Sequence, residues 1–132
     1  FVENPETENF YHGILHGSLL SAGFKVLSEV PGGGGRPDIT LFLHNDVCVV
    51  IELKHRHVGK IAHKGGGDGG TDRELAETAA REKDLAAALD AAEAQIRNLD
   101  YAGPHRAAGY EVICLAVAVR GRTEVAARFV EA

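Results

Sequence analysis

The chain has 132 residues, 45% of them hydrophobic and 25% charged, a composition that fits one globular domain and excludes a disordered chain or a disulfide-stapled miniprotein. Its 14 basic and 19 acidic residues leave a net charge of −5, so the surface is not uniformly basic and any contact with phosphate must be local. The longest purely apolar runs, residues 47–51 and 113–119, fall far short of the roughly 20 residues that a bilayer requires, so no membrane span is expected.

Residues 5–22 begin polar and then place Tyr11, Leu15, Leu19 and Ala22 at spacings of three and four, with Phe10 and Ile14 beside them. This is the pattern of an amphipathic helix, and Gly23 ends it. Residues 24–30 carry Phe24, Val26 and Leu27 ahead of Pro31 and four glycines, which predicts a short strand and a turn. Residues 38–44 are a second strand candidate, Asn45 and Asp46 a turn, and residues 47–54 a β-branched, apolar run that becomes charged only at its far end. That run is the central strand candidate. The stretch 54–64 is basic and rich in histidine, and it leads into GGGDGG at 65–70. Such a segment cannot pack a core and predicts a flexible insertion over about residues 55–70.

Thr71 and Glu74 have capping-box spacing at the start of an alanine-rich helix that runs to about Leu99. Its predicted buried stripe is Leu75, Ala79, Glu82 or Ala86, Leu89, Ala92, Ile96 and Leu99. Gly103 and Pro104 stop the helix, residues 110–119 form a strongly apolar strand, and residues 120–123 turn into a last strand ending at Phe129. The order αβββαββ, a meander followed by a helical return, predicts one mixed β-sheet flanked by helices in a single α/β domain over residues 1–132. Cys48 and Cys114 each lie inside an apolar strand run, which predicts buried free thiols and an intracellular, reducing setting. The chain opens on Phe1 with no methionine and no signal pattern, and the expectation is a segment of a longer polypeptide.

Asp38, Glu52 and Lys54 are ionisable groups in or beside strands that otherwise favour burial, and burying them unpaired is costly. Alternation along residues 47–54 sends Glu52 and Lys54 to one face, and Ile51 and Leu53 to the other. If the strand before the Asn45-Asp46 turn pairs with this one, Asp38 comes near Glu52 at the open end of the hairpin. Two close carboxylates repel, and a divalent cation is the usual remedy. An Asp, a Glu and a Lys at one sheet edge suit metal-assisted phosphodiester hydrolysis. Carboxylates hold a hard cation, the cation polarises phosphate and lowers the pKa of a water, and lysine stabilises the developing negative charge. An ordinary Lys-Glu pair at a strand end, with Asp38 serving a turn, fits the same spacing.

Other polar groups invite plainer readings. Glu8 and His12 are one helical turn apart and can pair with each other. His12 and His16 lack the glutamate of a zinc-binding HExxH helix, while His55, His57 and His63 lie on a basic, glycine-flanked stretch that reads as solvated, so neither set is expected to hold a metal. The glycine run at 32–35 has no GxxxxGK[ST] pattern and reads as a hairpin turn. Lys54, Arg56, Lys60 and Lys64 form the one concentrated positive patch, beside the candidate centre.

Gly35-Arg36-Pro37-Asp38 followed by Ile51-Glu52-Leu53-Lys54 resembles the two-part signature of the PD-(D/E)XK nuclease superfamily. More narrowly, Glu8-Asn9-Phe10-Tyr11-His12-Gly13, the GGGGRPD turn, IELK and the late Gln95-Ile96 with Tyr101 resemble the nuclease-like domain found after AAA-ATPase-like domains, over about residues 8–125. The resemblance implies a restriction-endonuclease-like fold and a Mg²⁺-dependent nuclease acting on DNA, with Mn²⁺ as a substitute metal. It implies that Asp38 and Glu52, with the backbone carbonyl of Leu53, hold the metal, and that Lys54 orients the water or stabilises the pentavalent phosphorus. Glu8 matches the acidic residue of the first helix and Gln95 the glutamine of the later one, whereas Tyr101 and His12 match the motif without an assigned role. The separation of Lys54 from Gln95 exceeds the family pattern because of the insertion. Implied partners are nucleic acid and an AAA-ATPase-like domain in the same or a partner chain, and a homodimer is compatible with the resemblance. The rival expectation is a nuclease-like domain that no longer cuts and serves as a binding or assembly module for an attached ATPase. The negative charge and the insertion favour that rival, and the intact Asp38, Glu52 and Lys54 argue against it.

Overall fold

The computed structural model of the chain describes residues 5–28, 37–58 and 70–131, with residues 5–10, 70 and 71 described by their backbone alone. Helix α1 (Pro5–Ser21) precedes strands β1 (Lys25–Ser28), β2 (Ile39–Leu43) and β3 (Val47–Arg56). The long helix α2 (Gly70–Asn98) and the short α3 (Gly103–Ala107) lead to β4 (Glu111–Arg120) and β5 (Glu124–Val130). The five strands form one sheet in the order β1-β2-β3-β4-β5. β1, β2 and β3 are an antiparallel meander, β4 runs parallel to β3, and β5 runs antiparallel to β4. The parallel step needs a long crossover, which α2 supplies. The result is the mixed, helix-flanked α/β sheet of a restriction-endonuclease-like fold.

β3 reads as a continuous apolar run because both of its faces are covered. Its even-numbered residues Cys48 and Val50 pack with Ala88, Leu89, Ala92 and Ile96 of α2 and with Cys114, Ala116 and Ala118 of β4. Small side chains on both surfaces let α2 lie close to the sheet. On the other face Ile51 packs with Val26, Ile39 and Leu41, and Leu15 and Leu19 of α1 close that side. Cys48 and Cys114 are buried and free, as expected from their strand positions.

Two details depart from the sequence reading. α2 has 29 residues and is therefore about 43 Å long, whereas a ten-residue strand such as β4 spans about 33 Å. The helix outruns the sheet, so Leu75 is 64% exposed and Leu99 46% exposed. Ala79, Glu82 and Ala86 are exposed as well, and the buried stripe is Ala88, Leu89, Ala92 and Ile96, with Leu85 partly buried. The helix also ends at Asn98, before Gly103 and Pro104, which open α3 instead. Proline is well placed there, since the first turn of a helix does not need its missing N–H.

A tight turn closes the β2–β3 hairpin. Asn45 and Asp46 both take a positive φ in the β2–β3 connection, a conformation these two residue types tolerate. β3 continues through His55 and Arg56, residues that the sequence reading assigned to the insertion, and residues 59–69 lie outside the described residues. Among the described residues no helix is long and apolar enough to cross a membrane.

Candidate active site

Register along the hairpin determines where the carboxylates meet. Ile39 pairs with Ile51, and one further step along the same antiparallel ladder sets Asp38 opposite Glu52. The Asp38 N–H donates to Glu52 Oε1 across 3.3 Å, a long bond. Asp38 Oδ2 accepts the N–H of Leu53 at 2.8 Å. β2 has not yet begun at this level, so the aspartate carboxylate takes the place that a backbone carbonyl would hold in the ladder. In an extended strand the N–H and C=O of one residue point to the same side, so the Leu53 carbonyl also turns toward the Asp38 edge.

Glu52 and Lys54 leave the face of β3 that carries α2. Glu52 is 1% exposed, and Lys54 Nζ lies 3.4 Å from its Oε2 while keeping 26% of its own side chain open to solvent. Lys54 Nζ also donates to Gln95 Oε1 at 2.7 Å, and Gln95 Nε2 donates to the Tyr101 hydroxyl at 2.9 Å. Burial pushes the Glu52 carboxyl up, and the Asp38 carboxylate pushes it the same way. The Lys54 ammonium and the Asp38 N–H oppose them, and the net result is about 7.

The structure therefore brings together Asp38, Glu52, Leu53, Lys54 and Gln95, and adds Tyr101, to which the sequence assigns no role. The donor set suits a hard cation: two carboxylates and a carbonyl are oxygen ligands, and Mg²⁺ commonly takes one or two carboxylates and keeps water in its remaining positions. The carboxylate repulsion that Lys54 leaves uncancelled is what such a charge would relieve. Among the described residues no group of three His, Cys, Asp or Glu side chains is placed to hold a metal, there or elsewhere.

The other candidates fall elsewhere. Glu8 lies on α1, and its side chain is outside the described residues. Arg36, Lys60, His63 and Lys64 are also outside them. His12 is half-buried on α1, and its Nε2 has no hydrogen-bond partner among the described residues. His16 bonds the Ser28 side chain. His55 is not a solvated loop residue: it is buried in β3, stacks on Tyr11 with ring centroids 5.3 Å apart, and bonds the Gly121 carbonyl through Nε2 at 3.1 Å. His57 meets His55 edge to face.

A protein-family model, that of the PD-(D/E)XK nuclease superfamily, matches residues 6–129. No curated protein sequence matches the chain.

Proposed function

We propose, because this chain belongs to the PD-(D/E)XK nuclease superfamily, whose nucleases generally use divalent metal ions, that it is a Mg²⁺-dependent nuclease hydrolysing phosphodiester bonds of DNA, with Mn²⁺ able to substitute. The observation that carries this reading is the meeting of Asp38, Glu52 and Lys54 at the mouth of the β2–β3 hairpin. Asp38 and Glu52, with the Leu53 carbonyl, would hold the cation. When bound, the cation supplies Lewis-acid polarisation of the phosphate and a water of lowered pKa.

The chain's own groups do the rest. Lys54 carries only donors and reaches solvent, so it can meet an incoming phosphate and stabilise the negative charge that grows on its oxygens as water attacks phosphorus. Burial of Glu52 excludes water from its side of the centre and strengthens each of these interactions. Arg56, exposed two residues further along β3, leaves the same face as Lys54 and extends the positive surface that a nucleic-acid backbone would follow.

The test is cleavage of plasmid and single-stranded DNA by the purified chain across a Mg²⁺ and Mn²⁺ titration. Asp38→Ala and Lys54→Ala are each expected to lower the metal-dependent rate by about 10²-fold or more while the circular dichroism spectrum is retained. Undiminished cleavage by both folded variants would overturn the assignment. Cation binding without cleavage, together with capture of an ATPase domain, would favour the assembly-module reading.

A further inference from the structure

The geometry points to Tyr101 as a positioning residue for Lys54, held in place by the cap that ends α2; this rests on the nuclease reading above. Past the last residue of α2, Asp100 takes a left-handed φ of 49°. Its N–H donates to Arg97 O at 3.2 Å, and the N–H of Tyr101 donates to Ile96 O at 3.2 Å. Two such nested bonds around a left-handed residue are a Schellman cap, with an aspartate where glycine is usual.

In this cap the residue after the left-handed one folds back over the last turn and meets the side chains five and six positions before it. Here those are Ile96 and Gln95. The separation of six between Gln95 and Tyr101 is therefore the separation the cap itself brings together. A helix continued straight on would carry Tyr101 about 9 Å further along the axis and away from Gln95.

The hydrogen-bond polarity is then determined along the whole line. Lys54 has donors and no acceptor, so only Oε1 of the Gln95 amide can face it. That turns Nε2 toward Tyr101, whose hydroxyl oxygen accepts. A glutamine side chain loses considerable rotamer freedom when it is held, and a single bond to a mobile ammonium is a poor anchor. Tyr101, 3% exposed, supplies the second point of attachment from the core side. Gln95 is also the nearer partner of Lys54, at 2.7 Å against 3.4 Å for Glu52. The line Tyr101–Gln95–Lys54 thus sets where the ammonium stands, and Tyr101 does so without touching substrate.

The experiment uses Tyr101→Phe, which keeps the buried ring and removes the hydroxyl, and with it the acceptor for Gln95 Nε2. In the metal-free protein, ¹⁵N NMR is expected to show faster exchange of the Gln95 side-chain amide protons and a lower order parameter for the Lys54 ammonium, with the backbone spectrum of α2 unchanged. A merely structural tyrosine would not move the Lys54 signal. In cleavage assays the Phe variant is expected to be about tenfold slower, equivalent to about 1.4 kcal/mol. The double variant Gln95→Leu/Tyr101→Phe should be no slower than Gln95→Leu alone, because the two residues act in series. An unchanged Lys54 signal in Tyr101→Phe, or rate losses that multiply in the double variant, would overturn the proposal. If the wild-type chain cleaves nothing, the nuclease reading fails, and the NMR comparison alone decides this one.

Discussion

A carboxyl group that is 1% exposed and titrates near 7 makes Glu52 a source of pH-dependent stability. Burial first, and the Asp38 carboxylate second, raise it from the ordinary 4.5, so the folded chain holds this proton more tightly than the unfolded chain does. The associated stability is fully present below pH 4.5 and is lost as pH rises through 7. Glu52→Gln mimics the protonated form. It is expected to raise the thermal midpoint of the metal-free protein at pH 8, with an advantage that shrinks toward pH 4.5, as followed by melting across that range. A variant that melts at the wild-type temperature at pH 8 would contradict the argument.

At the scale of elements, the turn between β4 and β5 joins three parts of the fold. Gly121 takes a φ of 61°, its N–H donates to Arg56 O at 2.9 Å, and its carbonyl accepts the Tyr11 hydroxyl at 2.9 Å and the His55 ring nitrogen. A Cβ at this position would stand 2.7 Å from Val58 Cγ2. Gly121→Ala therefore meets both a disfavoured backbone conformation and a clash at the end of β3, and is expected to cost about 1–2 kcal/mol. Chemical denaturation would measure it, and hydrogen exchange should show α1 loosening first, because Tyr11 is its tie to this turn. Next to Gly121, the buried Arg120 bonds Asp84 of α2 at 2.7 Å and Glu124 of β5 at 2.9 Å, which ties the long helix to the same end of the sheet.

For the whole molecule, the proposed cation and the fold are linked by mass action. A ligand that binds only the folded state stabilises it by about 2.7 kcal/mol at a hundredfold excess over its dissociation constant. Mg²⁺ is therefore expected to raise the melting temperature of the wild-type chain at pH 8 and to leave that of Asp38→Asn unmoved. An equal shift in both would place the cation elsewhere. The effect should be largest at the pH where Glu52 is ionised, since a cation and a proton compete for the same oxygens.

Much of the centre was legible because it is local. Alternation along a strand sends Glu52 and Lys54 to one face, and a tight turn at Asn45-Asp46 returns Asp38 to Glu52, so a single hairpin specifies the carboxylate pair. The apolar runs and glycine breaks likewise marked the strands to within a few residues, with the sheet's mixed character following from a meander and one helical return. Helical periodicity states which side of a helix is apolar but not how far the helix overhangs its sheet, so Leu75 and Leu99 lie on the predicted buried stripe yet stand in solvent. Nor does sequence show that Gly103 and Pro104 begin a helix, because the same residues can end one or start one. The link from Lys54 to Gln95, 41 residues away, and on to Tyr101 depends on how α2 packs across β3 and on a left-handed Asp100 that turns the chain back. Sequence by itself determined the charges and the hairpin that gathers them, since those follow from strand geometry. Only the tertiary structure decided which helix side chain holds the lysine, because long-range packing has no period to read.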